Sequence, residues 1–592
     1  MDQQWFEMLE IRKRRLNDVV WIPLRAAQRD TTGKMGFAGY WEEFSGVGSV
    51  GIPLDKKDAA AGLGWRDIGL GYAHRPSVED GRYTPADVFI DFAHDEDLSG
   101  VPLVLSQDGN RNEVQQWHLH QDLVIALRLK RENDVWLAID EGYIEVARLR
   151  RREGSPCLLE IRAEHLKDYL CARGLALLIA SFHSRTEVRE DAADIQWLEG
   201  SAQAEGGGAR WEGSKREIHE GGDPFGSHAF VMHVGREGIS SEDVPRIGPD
   251  DESITSESWT TARHGRKLID VQGNLWKTEW VEPSAQSPRV REDELPPVVF
   301  FLTDNSGTRE SAETLKSGGR WLWFCPEVIV ALAHRRGGAL ECGSREIGHV
   351  RCSPSYDVTF GVNCLGLINV YAKDIARLPE WQQRLWAGFN ISPEGGVSDE
   401  LFEAQAKGVP AKTHAPERYL RQGIEILNRI TLESLGFPLF RGHGQFDDIL
   451  ARTHRFRSTD QAGLFSLAKD LARLTADSID TAGLQKIVRT PKGESQRSLK
   501  TLTSLLAQKI SDSEARQLVA PLVGIYELRL ADAHLPGSDL ADSLRLANVD
   551  PASPFVIQGY QLLHACVSSL YSMAIVLKPG CTSPPSDSGC SV

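Results

Sequence analysis

From residue 445 to 578 the chain shows no strand-like alternation and carries four successive amphipathic helical patterns, so this stretch has to fold as a helical bundle. Leu464, Leu467, Ala468, Leu471 and Leu474 form the first apolar stripe, and Leu499, Leu502, Leu505 and Leu506 form the second. The third helix opens at Ser511-Asp512-Ser513-Glu514, where serine and glutamate can satisfy each other's free backbone N–H groups as a capping box. It continues through Leu518, Leu522, Ile525 and Leu528 and ends near Leu535-Pro536-Gly537. The fourth, Gly559 to Leu577, is long enough to cross a bilayer. Gln561, His564, Ser568 and Ser572 recur along it as one polar stripe, which predicts an amphipathic core helix and no membrane association.

The remainder reads differently. Residues 1–155 are β-rich, with short apolar runs at Val101–Ser106, Leu123–Leu129 and Val135–Ile139 separated by glycine and aspartate. Residues 156–300 read as mixed α/β with Gly-rich and acidic loops. A helix over Glu160–Arg173 is followed by Gly174, where a left-handed turn would stop it, and by a buried strand over Leu175–Phe182. Shorter strands are expected at 229–234, 268–271, 275–281 and 298–302. Residues 301–440 form an α/β middle region, with Trp381, Leu385 and Trp386 at helical spacing. Residues 579–592, rich in Pro, Ser and Gly, read as a disordered tail. The expected fold class is therefore α+β and multidomain, with an all-α bundle closing the chain.

Composition narrows the function. A net charge of −16 excludes a protein built as a whole to coat duplex DNA, because that needs broad phosphate neutralisation. Nine scattered cysteines, without a CxxC pair, and an N-terminus without a signal-peptide pattern lead to the expectation of a reducing cytoplasm.

Within the bundle, Tyr526-Glu-Leu-Arg529-Leu-Ala-Asp-Ala-His534 places an arginine and a histidine late on the third helix. The phrase resembles the R-x4-6-H motif of HEPN-type ribonucleases, helical-bundle proteins found among toxins and antiviral effectors. That resemblance implies a dimer whose arginines and histidines face each other and cleave RNA without metal or cofactor. Arg529 would hold the phosphate and stabilise its developing charge. His534 would act as general acid or base. The family often has a polar residue after the arginine, where this chain has Leu530. Lys486, Arg489, Lys492, Arg497 and Lys500, just upstream, would form a path for RNA, with His454, Arg455 and Arg457 as a second basic cluster. The alternative leaves Arg529 on a solvated face, paired with Asp532 at i, i+3.

Other candidates are less developed. Arg111 and His118 repeat the motif in a loop-to-strand setting. His118 and His120, with Asp122 nearby, could form half of a metal site on a strand face. Cys342, His349, Cys352 and Cys364 match no ordinary zinc spacing, and Gly33-Lys34 lacks the rest of a phosphate loop. Asp91, Asp95, Glu96 and Asp97 form no recognisable acid pair. The leading expectation is an intracellular effector, with a HEPN-like ribonuclease controlled by an N-terminal region that senses a protein or small-molecule trigger. Against it stand a non-catalytic scaffold, whose bundle mediates oligomerisation, and a nuclease site within the N-terminal α/β region.

Overall fold

Ten strands of the first 295 residues form one antiparallel sheet. The computed structural model describes residues 3–71, 76–79, 81–91, 95–107, 114–221, 227–234, 255–262, 266–442, 444–488, 498–531 and 539–578. The expected tail, 579–592, lies outside them. Two units are present, 1–295 and 296–592. The fold is α+β: a β-rich first half and a second half that ends in helices.

From edge to edge, the large sheet runs Ser201–Gly206, Ala209–His219, Lys267–Val281, Leu175–Arg189, Trp41–Pro53, Trp21–Thr32, Ser155–Arg162, Ile144–Arg152, Val135–Ala138 and Leu129–Glu132. Residues 1–155 and 156–300, expected as separate regions, thus share a single sheet. Strand partners more than a hundred residues apart leave no mark in local periodicity. The pieces expected at 268–271 and 275–281 are one strand, Lys267–Val281, passing straight through Gly273. A Cβ at Gly273 would lie 2.2 Å from the Phe6 carbonyl oxygen, so glycine here allows the N-terminal segment to lie against the strand. Leu123–Leu129, read as a strand, begins instead with the helix Gln121–Ala126, capped by His120, whose Nδ1 accepts from the Asp122 N–H at 3.2 Å. A short apolar run fits either period, and the cap decides it.

The helix expected over Glu160–Arg173 begins only at Ala163, because Glu160–Arg162 complete the strand Ser155–Arg162, and it ends as expected at Gly174 in the left-handed conformation, φ 64°. Its inner face carries an ionic cluster. Ser287 Oγ donates to buried Asp168 at 2.5 Å, and Arg289 Nε donates to Glu141 at 2.6 Å. His165 Nε2 lies 3.1 Å from the same Glu141 carboxylate. Burial opposes ionisation of Glu141, but hydrogen bonds with His165 and Arg289 outweigh it and hold the carboxyl at about 2. This contribution to stability is present above the ordinary glutamate range and lost as pH falls from there toward about 2. Glu141→Gln is therefore expected to flatten the acid limb of a stability–pH curve. An unchanged limb would remove Glu141 from the account.

In the second unit, six antiparallel strands run in the order Ala339–Cys342, Ile347–Arg351, Val358–Val362, Ile368–Tyr371, Trp321–Phe324 and Asn390–Ile391. Phe324, Phe360 and Trp386 fill the core beside them, Trp386 coming from the helix Glu380–Ala387. Helical packing starts before residue 445. The helix Glu417–Leu435 buries Leu420, Ile424 and Leu427 in the same core as Gln461–Leu474, Ser498–Leu506, Asp512–Ala531 and Phe555–Leu577.

The capping box forms: Ser511 N donates to Glu514 at 3.0 Å and Glu514 N to Ser511 Oγ at 3.3 Å. Below it Ala515, Val519, Leu522, Ile525 and Leu528 are fully buried, while Leu518 is half-buried. Ser569 of the last helix donates to the Leu518 carbonyl at 2.6 Å, so the two backbones approach closely there and smaller residues suit the contact. Leu522→Ala should cost about 2–5 kcal/mol in urea unfolding of the full chain; a loss below about 0.5 kcal/mol would contradict this packing. Phe555–Leu577 is the one described helix long and apolar enough to cross a membrane, and 56% of its apolar window is buried within the protein. His564 and Ser568 face outward, as the polar stripe requires.

Candidate functional site

Arg529 lies in the last turn of the helix Asp512–Ala531. Its guanidinium pairs with Asp477, which follows the helix Gln461–Leu474, and lies 5.1 Å from the Tyr526 ring centroid. Both members of the ion pair are accessible, 29% and 34% exposed, so the pair is worth no more than about 1 kcal/mol. Arg529 can thus exchange this carboxylate for another anion at little cost. Its partner is Asp477; Asp532, the partner suggested by spacing, lies outside the described residues, as does His534.

Tyr526 also lines an open groove of about 1230 Å³. Lys500 and Arg516 bring cations to its wall, and Asp512 and Glu527 bring acids. Lys500 is on the first turn of Ser498–Leu506, and Lys486 is exposed on the short helix Thr481–Ile487. Arg489, Lys492 and Arg497 lie outside the described residues. Thus two of the five expected RNA-binding cations are placed, one of them on the groove wall. Arg516 and Asp477 are the residues that sequence reading missed, and Tyr526 was read there without a role. Arg516 could have been found from its place on the Arg529 helix, whereas Asp477 is 52 residues from Arg529 and carried no local signal.

The second basic cluster is internal rather than a nucleic-acid path. Arg455, 2% exposed, pairs with Glu417 at 2.7 Å and donates to the backbone carbonyls of Ser344 and Arg345. Arg457 and Arg452 both reach the buried carboxylate of Asp470, at 3.2 and 2.9 Å. Burial pushes His454 down to about 4, which keeps it neutral. Arg455 is the cation far from water and needs its counter-charge, whereas Arg457 and Arg452 are about a third exposed and share the Asp470 carboxylate.

The other candidates disperse. His118 meets Gln107 at 3.2 Å, His120 caps its helix, and Asp122 is held by Arg173 at 2.7 Å and by Tyr169. Arg111 lies outside the described residues, as do the side chains of Asp91, Asp95, Glu96 and Asp97. Cys342 and Cys352 are buried, whereas His349 and Cys364 are exposed. Burial raises both buried thiols, Cys352 to about 11, so neither resembles a metal-binding thiolate. Gly33-Lys34 opens the connection between two strands of the large sheet, with the Lys34 ammonium over Phe37 at 4.4 Å. Among the described residues no three His, Cys, Asp or Glu side chains gather as a metal site.

These features define a two-unit α+β protein whose helical region presents an arginine beside a cation-bearing groove. No protein family, no curated protein and no solved structure matches the chain.

Proposed function

We propose that this protein is an intracellular effector whose helical region acts as a HEPN-like, metal-independent ribonuclease, with the first unit as its sensor. The observation that carries this reading is Arg529, held by a weak accessible pair at the end of a packed helix that also lines the groove with Arg516. In the proposed reaction Arg529 binds the scissile phosphate and neutralises charge building on its oxygens. His534 takes the 2′-hydroxyl proton as that oxygen attacks phosphorus, or returns a proton to the departing 5′-oxygen. The second copy of the motif comes from a partner chain, as in the family it resembles, and RNA lies along Lys486, Arg489, Lys492, Arg497 and Lys500. A role in defence or as a toxin fits this layout.

The test is incubation of the purified full chain with mixed RNAs in EDTA. Cleavage that persists and leaves 2′,3′-cyclic phosphate ends supports the reading; cleavage abolished by EDTA, or absent over a range of RNAs, opposes it. Asp477 gives a second handle. It competes with phosphate for Arg529, so Asp477→Asn should tighten RNA binding roughly 2–5-fold, the worth of an exposed ion pair. Unchanged or weaker binding in a filter assay would mean that Arg529 does not meet the phosphate. The Arg529–Asp477 pair also favours a second reading, in which the arginine is a surface residue and the helical region an oligomerisation scaffold. An Arg529→Ala/His534→Ala double variant that cleaves RNA as fast as the parent would select it.

A further inference from the structure

A separate cavity lies on one face of the large sheet, in the first unit. Five neighbouring central strands floor it, and the N-terminal residues Ile11 to Leu16 form its rim. Its volume is about 240 Å³, enough for a compact molecule and below the range of most drug-sized sites. Pro23, Val47 and Leu158 give it an apolar wall.

The rim is held in place by the sheet's own charges. Lys277, 5% exposed, donates to the carbonyl oxygens of Ile11 and Arg14 and pairs with Glu279 at 3.0 Å. Leu16 N donates to Glu279 at 3.4 Å, and Trp211 Nε1 donates to the Phe6 carbonyl at 2.7 Å. The rim of the cavity is therefore tied to its floor.

The charge balance inside it is uneven. Glu279 is matched by Lys277, and Glu160 by Arg148 and Arg150 at 2.6 and 3.1 Å. Arg14, exposed at the rim, has no ion pair and no side-chain hydrogen bond among the described residues. The cavity's unmatched charge is thus positive. In the same lining, Ser45 Oγ lies 2.9 Å from His183 Nδ1. When the hydroxyl donates to Nδ1, Nε2 carries the ring proton and is a hydrogen-bond donor. Burial, then Arg185 and Lys277, push His183 down to about 4, leaving the ring neutral.

We propose that this cavity binds a small organic anion, its carboxylate or phosphate at Arg14 and His183 and its apolar body against Pro23, Val47 and Leu158. Such a ligand supplies the one charge the site lacks, and an anion between a guanidinium and an N–H donor gains charge-assisted hydrogen bonds on both sides. Carboxylate and phosphate share this chemistry. The site stands whether or not the second unit cleaves RNA, so each idea can fail alone.

Calorimetric titration of the full chain tests it with three probes: benzoate, uncharged benzamide and inorganic phosphate. Benzoate is expected to bind saturably and at least tenfold more tightly than benzamide. Phosphate tighter than benzoate would assign the site to phosphate-bearing ligands, and the reverse to carboxylates with an apolar body; either order supports an anion site. Arg14→Ala removes the guanidinium but keeps the backbone carbonyl that Lys277 uses, so the rim should remain and the preferred anion should bind at least tenfold more weakly. Arg14→Lys should recover part of that loss. Benzamide binding as tightly as the tighter of the two anions, no saturable binding of either anion, or Arg14→Ala binding at parental strength would overturn the proposal.

Discussion

Replacing His534 by alanine is expected to slow RNA cleavage by a factor on the order of 10²–10⁴, the usual worth of a positioned general acid or base. Arg529→Ala should have an effect of similar size, because it removes charge stabilisation where the phosphate becomes more negative. The two losses should not add in full, since both residues serve one step. Thermal stability should change little: Arg529 is accessible, and its pair with Asp477 contributes at most about 1 kcal/mol. Single-turnover cleavage of a labelled RNA, beside a melting curve for each variant, checks both statements. A variant that melts normally and cleaves at the parental rate would end the ribonuclease reading.

The second large effect concerns Glu417. Its carboxylate receives Arg455 Nε at 2.8 Å and Nη2 at 2.7 Å, and Arg455 is almost wholly buried. Glu417→Gln leaves that guanidinium, 2% exposed, without its counter-charge, which should cost about 3–5 kcal/mol. Replacing both residues, Glu417→Leu with Arg455→Met, should recover much of the loss, because two apolar groups of similar size leave no buried charge. Burial opposes ionisation of Glu417, yet the Arg455 charge and hydrogen bonds outweigh it and hold the carboxyl below the usual range. The pair therefore stabilises fully above the ordinary glutamate value and fades as pH falls through the lowered one. Urea unfolding of the parent, the single variant and the double variant reads all of this. A single variant as stable as the parent would show that Arg455 does not depend on that counter-charge.

Local order was legible where a residue's partners are its near neighbours. The Ser511–Glu514 box, the stop at Gly174 and the polar stripe of the last helix depend on residues within a few positions of one another, and periodicity exposes them. The helix Glu417–Leu435 went unassigned although its apolar residues recur at helical spacing, because residues 301–440 read together as one α/β region, whose six-stranded sheet lies upstream, at 321–391. His454, Arg455 and Arg457 read as a basic surface because sequence shows charge but not depth. The carboxylates that absorb Arg455 and Arg457 are Glu417 and Asp470.

By itself the sequence determined the fold class, the helical end of the chain and the candidate pair Arg529 and His534, since each follows from residue type and short-range spacing. Tertiary structure alone decided that strands from residues 21 to 281 share one ten-stranded sheet, that Arg529 meets Asp477, and that Ser45, His183, Lys277 and Arg14 border one cavity. The physical reason is the same in each case. Strand pairing and charge pairing join residues tens to hundreds of positions apart, and the choice among many equally suitable partners is made by packing of the whole chain.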